Sequence, residues 1–399
     1  MFIFEHPSIK YKDPWTSSFS DRIKSLSLGT TKIAYFYNQV DNSTFRYRVY
    51  NMIKVIRQKL QDVSASFFTD NDLNLMDQVI NQCDILVLCR VKYSNRINTL
   101  ITRAKNKGVR VIFDVDDLVF NTDYTHLILN TLDQNLNPPE TWDFWFAYIG
   151  RIGATLKLCD EAITTNEFLA EQIRLFAGIK THIIPNFVNE EQLTVSQNIY
   201  NQKIANGFKR DGYLHLGYFS GTPSHNRDFA ILSNSLIKLL EIRDDIKVVI
   251  VGYMEIKGEF AKYKDRIIFH PFQDYVNLQR LIASVEINMV PLQNNIFTNC
   301  KSELKYFEAA ICGTLSVASK TYTYTNAIND GVNGYLAGTT QWVDKILELI
   351  KLVDNGKYSY MAEQASRHAI SNYAWFNQDR NILNMIRGGD GEFKTFTGK

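Results

Sequence analysis

Short apolar runs rich in β-branched residues alternate with amphipathic helical patterns along most of this chain of 399 residues. Such alternation is typical of parallel β-sheets whose two faces are covered by helices. A chain of this length is expected to form two domains, each large enough to bury its own core. The sequence therefore predicts an α/β fold with two Rossmann-like halves. The predicted strands are 32–37, 84–89, 109–113, 161–164 and 181–184 in the first half, and 214–219, 247–251, 266–269, 287–290 and 315–318 in the second.

A polar stretch predicts the boundary between the halves. Residues 189–212 are rich in Glu, Gln and Asn and show no strand pattern, so we interpret them as a linker. The predicted domains are residues 1–195 and 213–374. Residues 375–386 show an amphipathic helical pattern, and the glycine-rich end of the chain is predicted to be a frayed tail. Because ligands of open α/β sheets bind beyond the carboxyl ends of the strands, two facing halves would form a cleft.

Charge and composition argue against several classes of protein. A formal net charge of +2 predicts no surface for a polyanion, so we expect no nucleic acid partner. The polar start of the chain and the lack of long apolar runs predict a cytoplasmic protein. The five cysteines are scattered, which argues against structural zinc and a disulfide framework. Peripheral membrane contact is an open alternative to a packed extension for the aromatic and basic residues near the amino terminus, which are Phe2, Phe4, Lys10, Tyr11, Lys12 and Trp15.

The segment 299–319 carries the strongest functional signal. A polar loop leads into a short predicted helix that carries Lys301, Lys305 and Glu308, and a strand follows Gly313. A helix that begins at the carboxyl end of a strand presents unpaired N–H groups and a positive dipole end, which suit phosphate. The spacing lets the three charged residues share one helical face. We predict that the lysines bind a nucleotide diphosphate and that Glu308 accepts hydrogen bonds from the ribose; a solvated face of Lys and Glu is the alternative.

The loop 220–229 is the second candidate site. Gly221 permits close backbone approach or a positive φ, and Ser224 or Asn226 can cap the helix that follows. Arg227 falls in the first turn of that helix, where its charge opposes the helix dipole unless an anion neutralises it. This arrangement predicts a contact with the diphosphate. An ordinary exposed arginine is the alternative.

Four stretches of the chain, in matching order, resemble the retaining glycosyltransferases of family 4, which have the GT-B fold. They are residues 183–188, 217–222, 305–313 and 330–336. The first part of the chain matches that family by layout more than by motif. The resemblance implies two Rossmann-like domains that face each other across a cleft. Residues 1–195, with a returning helix at 375–388, would bind the acceptor, and residues 213–374 would bind the donor.

The same resemblance implies the roles of individual residues. The co-substrate would be a nucleotide-diphosphate sugar, with no metal and no cofactor. Arg227 and Lys305 take the places of the basic residues that face the donor phosphates, so both are predicted to be catalytic. The residues implied to bind the donor are Gly221, Thr222, Arg227, Lys301, Ser302, Lys305 and Glu308.

The chain departs from the family pattern at Cys300. Family members typically carry two glutamates with seven residues between them, and counting back from Glu308 places the first at Cys300. A thiol cannot hold a sugar hydroxyl as a carboxylate does. Either Glu303 reaches the sugar from the next turn, or the backbone amides of Lys301 and Ser302 position it.

Charged residues also follow two strands of the first half. Asp114, Asp116 and Asp117 lie at the carboxyl end of the predicted strand 109–113. We predict that Asp116 or Asp117 is catalytic and orients an acceptor hydroxyl or a hydroxyl of the donor sugar. A divalent metal site and a structural role in capping the next helix are the two alternatives.

Two arginines follow the first strand. Arg46 and Arg48 stand where enzymes of the GT-B class have a loop that faces the cleft. They are predicted to bind an anionic acceptor or the departing phosphate. Paired surface arginines at the start of a helix are the alternative.

Together these features predict a retaining glycosyltransferase. It would move a hexosyl or deoxyhexosyl group from a nucleotide-diphosphate sugar to a hydroxyl of a glycan or of a lipid-linked oligosaccharide. The resemblance implies attack on the front face of the sugar, with the phosphate taking the proton of the acceptor. A non-catalytic GT-B relative that binds a glycan or a partner enzyme is the main alternative, and a sugar phosphorylase on the same fold is the other.

Overall fold

The computed structural model describes residues 1–41, 43–221, 226–254 and 258–388. Within these residues the chain forms two parallel β-sheets of six strands each, with helices between successive strands. The predicted α/β fold with two sheets is therefore confirmed. The strands are β1 (Thr31–Phe36), β2 (Val63–Phe68), β3 (Ile85–Cys89), β4 (Arg110–Asp114), β5 (Glu161–Thr164), β6 (Lys180–Ile183), β7 (Leu214–Ser220), β8 (Ile246–Gly252), β9 (Ile267–His270), β10 (Ile287–Val290), β11 (Leu315–Ser319) and β12 (Tyr335–Ala337).

Most helices connect one strand to the next, as parallel pairing requires. The α-helices are α1 (Phe19–Leu26), α2 (Asn51–Lys59), α3 (Met76–Ile80), α4 (Asn95–Asn106), α5 (Thr125–Thr131), α6 (Pro139–Leu156), α7 (Glu167–Ala177), α8 (Glu190–Ala205), α9 (Asn226–Ile242), α10 (Tyr275–Ser284), α11 (Ile296–Asn299), α12 (Leu304–Ala310), α13 (Tyr322–Ala327), α14 (Trp342–Asp354), α15 (Tyr358–Tyr373) and α16 (Asp379–Ile386). Among the helices of the described residues, none is long and apolar enough to span a bilayer.

The strand order explains which loops meet. The first sheet has the order β2-β1-β3-β4-β5-β6, so the loops after β1, β3 and β4 lie side by side at the carboxyl edge. The second sheet has the order β12-β11-β10-β7-β8-β9, which brings together the loops after β7, β10 and β11. Ligands of parallel sheets bind at this edge. Both predicted groups of site residues follow strands at these positions.

The contacts divide the chain into two compact units. The amino-terminal unit consists of Pro14–Thr122, Phe146–Phe187 and the described part of Trp375–Lys399. The carboxy-terminal unit consists of the remaining segments, Met1–Asp13, Asp123–Trp145 and Val188–Ala374. The sequence had predicted one domain of residues 1–195 with the returning helix 375–388 and a second domain of residues 213–374. The structure instead assigns two short segments of the first half to the carboxy-terminal unit.

The predicted linker is wrong, because most of it is the helix α8. Asn189 caps this helix by accepting a hydrogen bond from the Gln192 amide. Its buried face includes polar side chains, so no apolar stripe marks it in the sequence. Lys203 is fully buried there, and its ammonium donates to the carbonyls of Cys312 (2.8 Å) and Ala283 (3.0 Å). Because its buried face is partly polar, α8 could not be recognised from the sequence as a helix of the core.

The first residues of the chain pack on the carboxy-terminal unit. The Phe2 amide donates to the Ser284 carbonyl at 2.8 Å, and the Phe2 side chain is buried. Further along, the Ile9 amide donates to the Asn277 side chain at 3.0 Å.

The predicted helix 375–386 is a short 3₁₀ turn at Trp375–Asn377 followed by α16. Arg110 of β4 donates a hydrogen bond of 2.8 Å to the Ile386 carbonyl at the end of α16. The predicted tail beyond residue 388 lies outside the described residues.

Candidate functional site

The candidate site begins where two neighbouring strands of the second sheet end. β10 pairs with β7, and the chain passes from β10 into α11 and α12, whereas β7 leads toward α9. Asn295 caps α11 by accepting a hydrogen bond of 3.0 Å from the Thr298 amide. The chain leaves the helical path at Cys300–Glu303 and becomes helical again at Leu304.

This local path corrects the predicted helix. Lys301 and Ser302 precede α12, so Lys301 does not share a helical face with Lys305 and Glu308. The Lys301 ammonium lies 4.5 Å from the centre of the Phe297 ring. Lys305 and Glu308 remain one turn apart on the same helix. The predicted contact of both lysines with one anion stays a prediction, and it would involve the loop and the helix together.

Lys305 is the least neutralised cation of the site. Its side chain is half-buried, and its ammonium lies 5.4 Å from the centre of the Tyr218 ring. In the part of the chain that the structure describes, this ammonium has no hydrogen-bond or ion-pair partner. Burial lowers the pKa of Lys305 to about 8, although the charges of Asp228 and Glu308 act in the opposite direction. An anion that entered here would meet a poorly solvated positive charge.

Glu308 faces the helix α8. The side chain is 4% exposed, and the Gln192 amide donates to its Oε1 atom at 2.9 Å. Gln279 also donates to the Glu308 backbone carbonyl at 3.2 Å. Gln192 therefore holds the Glu308 carboxylate in one orientation. No pattern in the sequence had indicated Gln192 as a site residue. Its predicted contact with a ribose stays a prediction.

Cys300 and Glu303 are the two residues that bear on the predicted recognition of the sugar. Cys300 is fully buried. Glu303 immediately precedes α12, and burial raises the pKa of its carboxyl to about 7. Tyr373 forms a hydrogen bond with the Glu303 carboxyl. The Oε2 atom of Glu303 is enclosed and has no partner in the described part of the chain.

Arg227 lies in the first turn of α9, as predicted, but it already has partners. Its Nε donates to Asp133 at 2.9 Å, and its Nη1 donates to Asn130. The Arg227 and Asp133 side chains are 40% and 34% exposed, so water screens this pair. Asp133 was missed because it lies far away in the sequence, in the loop after α5.

The glycine loop is only partly described. Gly221 is exposed, and a Cβ atom at this position would have no neighbour within 4 Å. Its φ is not in the left-handed region, so that alternative is wrong for this residue. Thr222 and the other residues up to His225 lie outside the described residues. Asp228, which follows, is buried and accepts a hydrogen bond of 3.1 Å from the Gln293 amide, which ties α9 to the loop after β10.

Arg48 corrects the predicted acceptor site in the amino-terminal unit. The side chain is fully buried within a π-helical turn, Arg46–Tyr50. It binds Asp114 with two hydrogen bonds of 2.8 and 3.1 Å and donates to the Ile184 carbonyl at 2.7 Å. With its guanidinium enclosed and engaged, Arg48 does not face an acceptor. Arg46 is 4% exposed and lies 4.0 Å from the Tyr47 ring, so its predicted role stays a prediction.

The carboxylates after β4 are also paired. Arg90 contacts Asp116 at 2.5 Å through Nε and Asp117 at 2.6 Å through Nη2. Arg90 has a φ of 48°, a left-handed conformation that non-glycine residues rarely adopt. Thr44 donates a further hydrogen bond of 3.3 Å to Asp116. Sequence reasoning missed Arg90, which follows β3 and had no motif around it.

Comparison with known proteins gives a match to one domain-family model within the second half of the chain. Residues 214–352 match the family model described as Glycosyl transferases group 1. No curated protein gives a significant sequence match to this chain. The fold is similar to that of several solved structures, although the sequences have diverged widely.

Three of these structures illustrate the similarity. HepE of Anabaena in complex with UDP is 13% identical, with a TM-score of 0.58 over 90% of this chain and 100% of that one. A glycosyltransferase from Rickettsia africae is 12% identical, with a TM-score of 0.61 over 90% and 98%. Sucrose-phosphate synthase from Thermosynechococcus elongatus is 11% identical, with a TM-score of 0.60 over 89% and 98%. The chain therefore has the GT-B fold.

Proposed function

We propose that this protein is a retaining glycosyltransferase that moves a sugar from a nucleotide-diphosphate donor to a hydroxyl of a glycan or of a lipid-linked acceptor. One observation carries the proposal. Lys305 is a poorly solvated cation near the start of α12 that has no partner among the residues the structure describes. It lies at the carboxyl edge of a parallel sheet, inside the segment that matches the glycosyl transferases group 1 model. An unneutralised cation at this edge suits a diphosphate.

Charge stabilisation is the main chemical contribution of the proposed site. As the bond between the sugar and the diphosphate breaks, negative charge develops on the leaving phosphate. Lys305 stabilises that charge from a site of low polarity, where a fixed cation is worth more than in water. Lys301 and the backbone of Ser302 lie immediately before the same helix and add to the positive potential. Arg227 would join them after exchanging Asp133 for the phosphate.

The proposed transfer needs no protein nucleophile. The acceptor hydroxyl attacks the anomeric carbon on the face that the phosphate leaves, so a bond to the acceptor oxygen forms as the bond to the phosphate oxygen breaks. The hydroxyl proton passes to the departing phosphate. The proposal assigns no step to a metal or a cofactor, and Glu308 is proposed to bind the ribose.

On the acceptor side, the proposal retains Asp117 in preference to Asp116. The Asp117 side chain is 25% exposed and that of Asp116 is 12% exposed, and both are ion-paired with Arg90. Asp117 thus has more surface for contact with a hydroxyl. Asp116 is proposed to fix the position of Arg90.

Uridine nucleotides are the first donors to test, because HepE was solved with UDP and with UDP-glucose. A thermal-shift screen over UDP, GDP, ADP and dTDP should show stabilisation by at least one of them, since a ligand that binds the folded state raises its apparent stability. Lys305→Ala should reduce that stabilisation at the same ligand concentration, because it weakens binding of the diphosphate. Lys238→Ala, which removes an exposed lysine of α9, is the matched control and should leave it unchanged. No shift with any diphosphate would contradict the proposal.

An activity assay, and not a binding assay, distinguishes an enzyme from a non-catalytic relative. Incubation with nucleotide sugars and a panel of glycan acceptors should release nucleoside diphosphate if the protein is an enzyme. Binding without release under every condition would favour the non-catalytic relative.

A further inference from the structure

Several buried polar side-chain atoms near the start of α12 lack hydrogen-bond partners among the described residues. Oε2 of Glu303, Oγ1 of Thr321 and Oγ1 of Thr323 are enclosed and have no hydrogen-bond partner in the described part of the chain. The Tyr324 hydroxyl has none there either, and the residue is 2% exposed. Buried polar atoms in proteins are nearly always paired, so each exception needs an explanation. The four groups named here lie in two short segments, one just before α12 and one just after β11.

The strand order brings these segments together. Glu303 lies in the chain that follows β10, and Thr321 to Tyr324 follow β11, the neighbour of β10 in the sheet. The Tyr322 amide donates a hydrogen bond of 2.7 Å to Asn299, which fixes the start of α13 against the end of α11. The unpaired groups therefore lie at one edge of the sheet, beside the segment that carries Lys305.

The charges around Tyr324 determine what it can do. Burial raises the pKa of Tyr324, and the carboxylates of Glu303, Glu308 and Asp228 raise it further. The hydroxyl accordingly stays protonated and is a hydrogen-bond donor among carboxylates. Glu303 can accept hydrogen bonds in its ionised form and can donate one in its neutral form. Such a mixture of donors and acceptors suits a ligand with several hydroxyl groups.

We propose that Tyr324 and Glu303 form the specificity element for the sugar of the donor, by hydrogen bonding to its hydroxyl groups. This inference rests on the proposed function and extends it. Glu303 is two residues from Lys305, so a sugar attached to a diphosphate at Lys305 would reach it without leaving the edge of the sheet. A sugar that lacks the matching hydroxyl would leave these groups unpaired and would be rejected.

The experiment compares diphosphates with their sugar esters. Wild type, Tyr324→Phe and Glu303→Gln are titrated by calorimetry with UDP, GDP, ADP and dTDP, and with the glucose and galactose esters of each. Tyr324→Phe should bind the nucleoside diphosphate as wild type does and should bind the preferred sugar ester about three- to tenfold more weakly, as expected for one lost hydrogen bond. The preference between glucose and galactose should shrink with it.

Tyr306→Phe is the matched control. It removes a buried tyrosine hydroxyl from α12 that contacts His368 at 3.1 Å and lies outside the proposed element. This variant should keep the wild-type ratio of ester to diphosphate affinity. Thr323→Val and Glu303→Gln test the same element if Tyr324→Phe fails to fold.

The outcomes separate this inference from the function on which it rests. Equal ester-to-diphosphate ratios in wild type, Tyr324→Phe and Glu303→Gln would overturn the specificity element and leave the proposed function standing. Absence of binding by wild type to every diphosphate and ester would overturn both. Loss of diphosphate binding in folded Tyr324→Phe would also overturn the inference, because it would place the residue at the phosphates.

Discussion

The two sheets present charged side chains at equivalent edges, but the two sets differ in how far their charges are paired. In the amino-terminal unit, Arg48 is paired with Asp114, and Arg90 is paired with Asp116 and Asp117. In the described part of the carboxy-terminal unit, the Lys305 ammonium and one carboxyl oxygen of Glu303 have no partner. The residue types are alike, so the difference lies in whether the charges are satisfied. Satisfied clusters hold the fold, whereas unsatisfied ones can bind a ligand.

The largest effect is expected where the charges are fully satisfied. Arg48→Ala leaves Asp114 buried without its partner and should lower the free energy of unfolding by about 3–5 kcal/mol. Urea denaturation of the full chain measures this loss. An Arg48→Ala variant that is as stable as wild type but impaired in transfer would contradict this assignment. It would show that Arg48 acts on the acceptor and not on the stability of the fold.

Glu303 should make stability depend on pH. Its carboxyl has a pKa of about 7 in the folded chain and an ordinary value of 4.5. The folded state therefore holds a proton that the unfolded state has released, and the stability from this group is lost as the pH rises through 7. The difference in stability between wild type and Glu303→Gln should shift against wild type by about 2–3 kcal/mol between pH 5 and pH 8.

Chemical denaturation at the two pH values tests this prediction. Glu259→Gln, at an exposed position, is the control and should show no such shift. A pH-independent difference between wild type and Glu303→Gln would show that the carboxyl is satisfied in a way the structure does not display.

Lys305→Ala should weaken diphosphate binding by about 10- to 100-fold, the usual range for a lost hydrogen bond to a charged group. The affinity of wild type should also fall as the pH rises above about 8, because the ammonium that binds the anion is lost there. Isothermal titration from pH 7 to pH 9.5 measures both effects. A flat profile in wild type would show that Lys305 does not meet the phosphates.

The smallest effect is expected at Arg227. Because it is exposed and paired with Asp133, Arg227→Ala should reduce diphosphate affinity by less than about fivefold. Asp133→Asn removes the competing carboxylate and should raise affinity slightly. A larger loss of affinity for Arg227→Ala than for Lys305→Ala would reverse this ranking. It would show that the exposed, paired Arg227 contributes more to diphosphate binding than Lys305 does.

The pattern of the sequence predicted the sheets better than it predicted the site. Strands such as β3 and β8 are apolar and β-branched, so they could be recognised directly. β2 was missed, because Ser64 and Ser66 occupy buried positions in it, and α8 was missed because polar side chains lie on its buried face. Local patterns reveal burial only when the buried residues are apolar.

The sequence predicted individual charged residues of the site, but it did not predict which residues pair with them. Lys305 and Glu308 could be selected from one helix, but the partners of Arg227 and Asp116 come from other elements. Asp133 is 94 residues before Arg227 in the chain, and Arg90 follows a different strand from Asp116. Whether a charge is neutralised depends on these distant partners, so a single sequence could not show that Arg48 is enclosed.

The enclosed lysine of α8 offers a chemical reporter of integrity. Lys203 has its ammonium held by backbone carbonyls and is fully buried, whereas Lys238 is exposed. An amine-reactive acylating reagent should therefore label Lys238 in the intact protein and reach Lys203 only after the carboxy-terminal unit opens. Peptide mapping of these two labels therefore distinguishes a folded variant that no longer binds its ligand from a variant whose carboxy-terminal unit has unfolded.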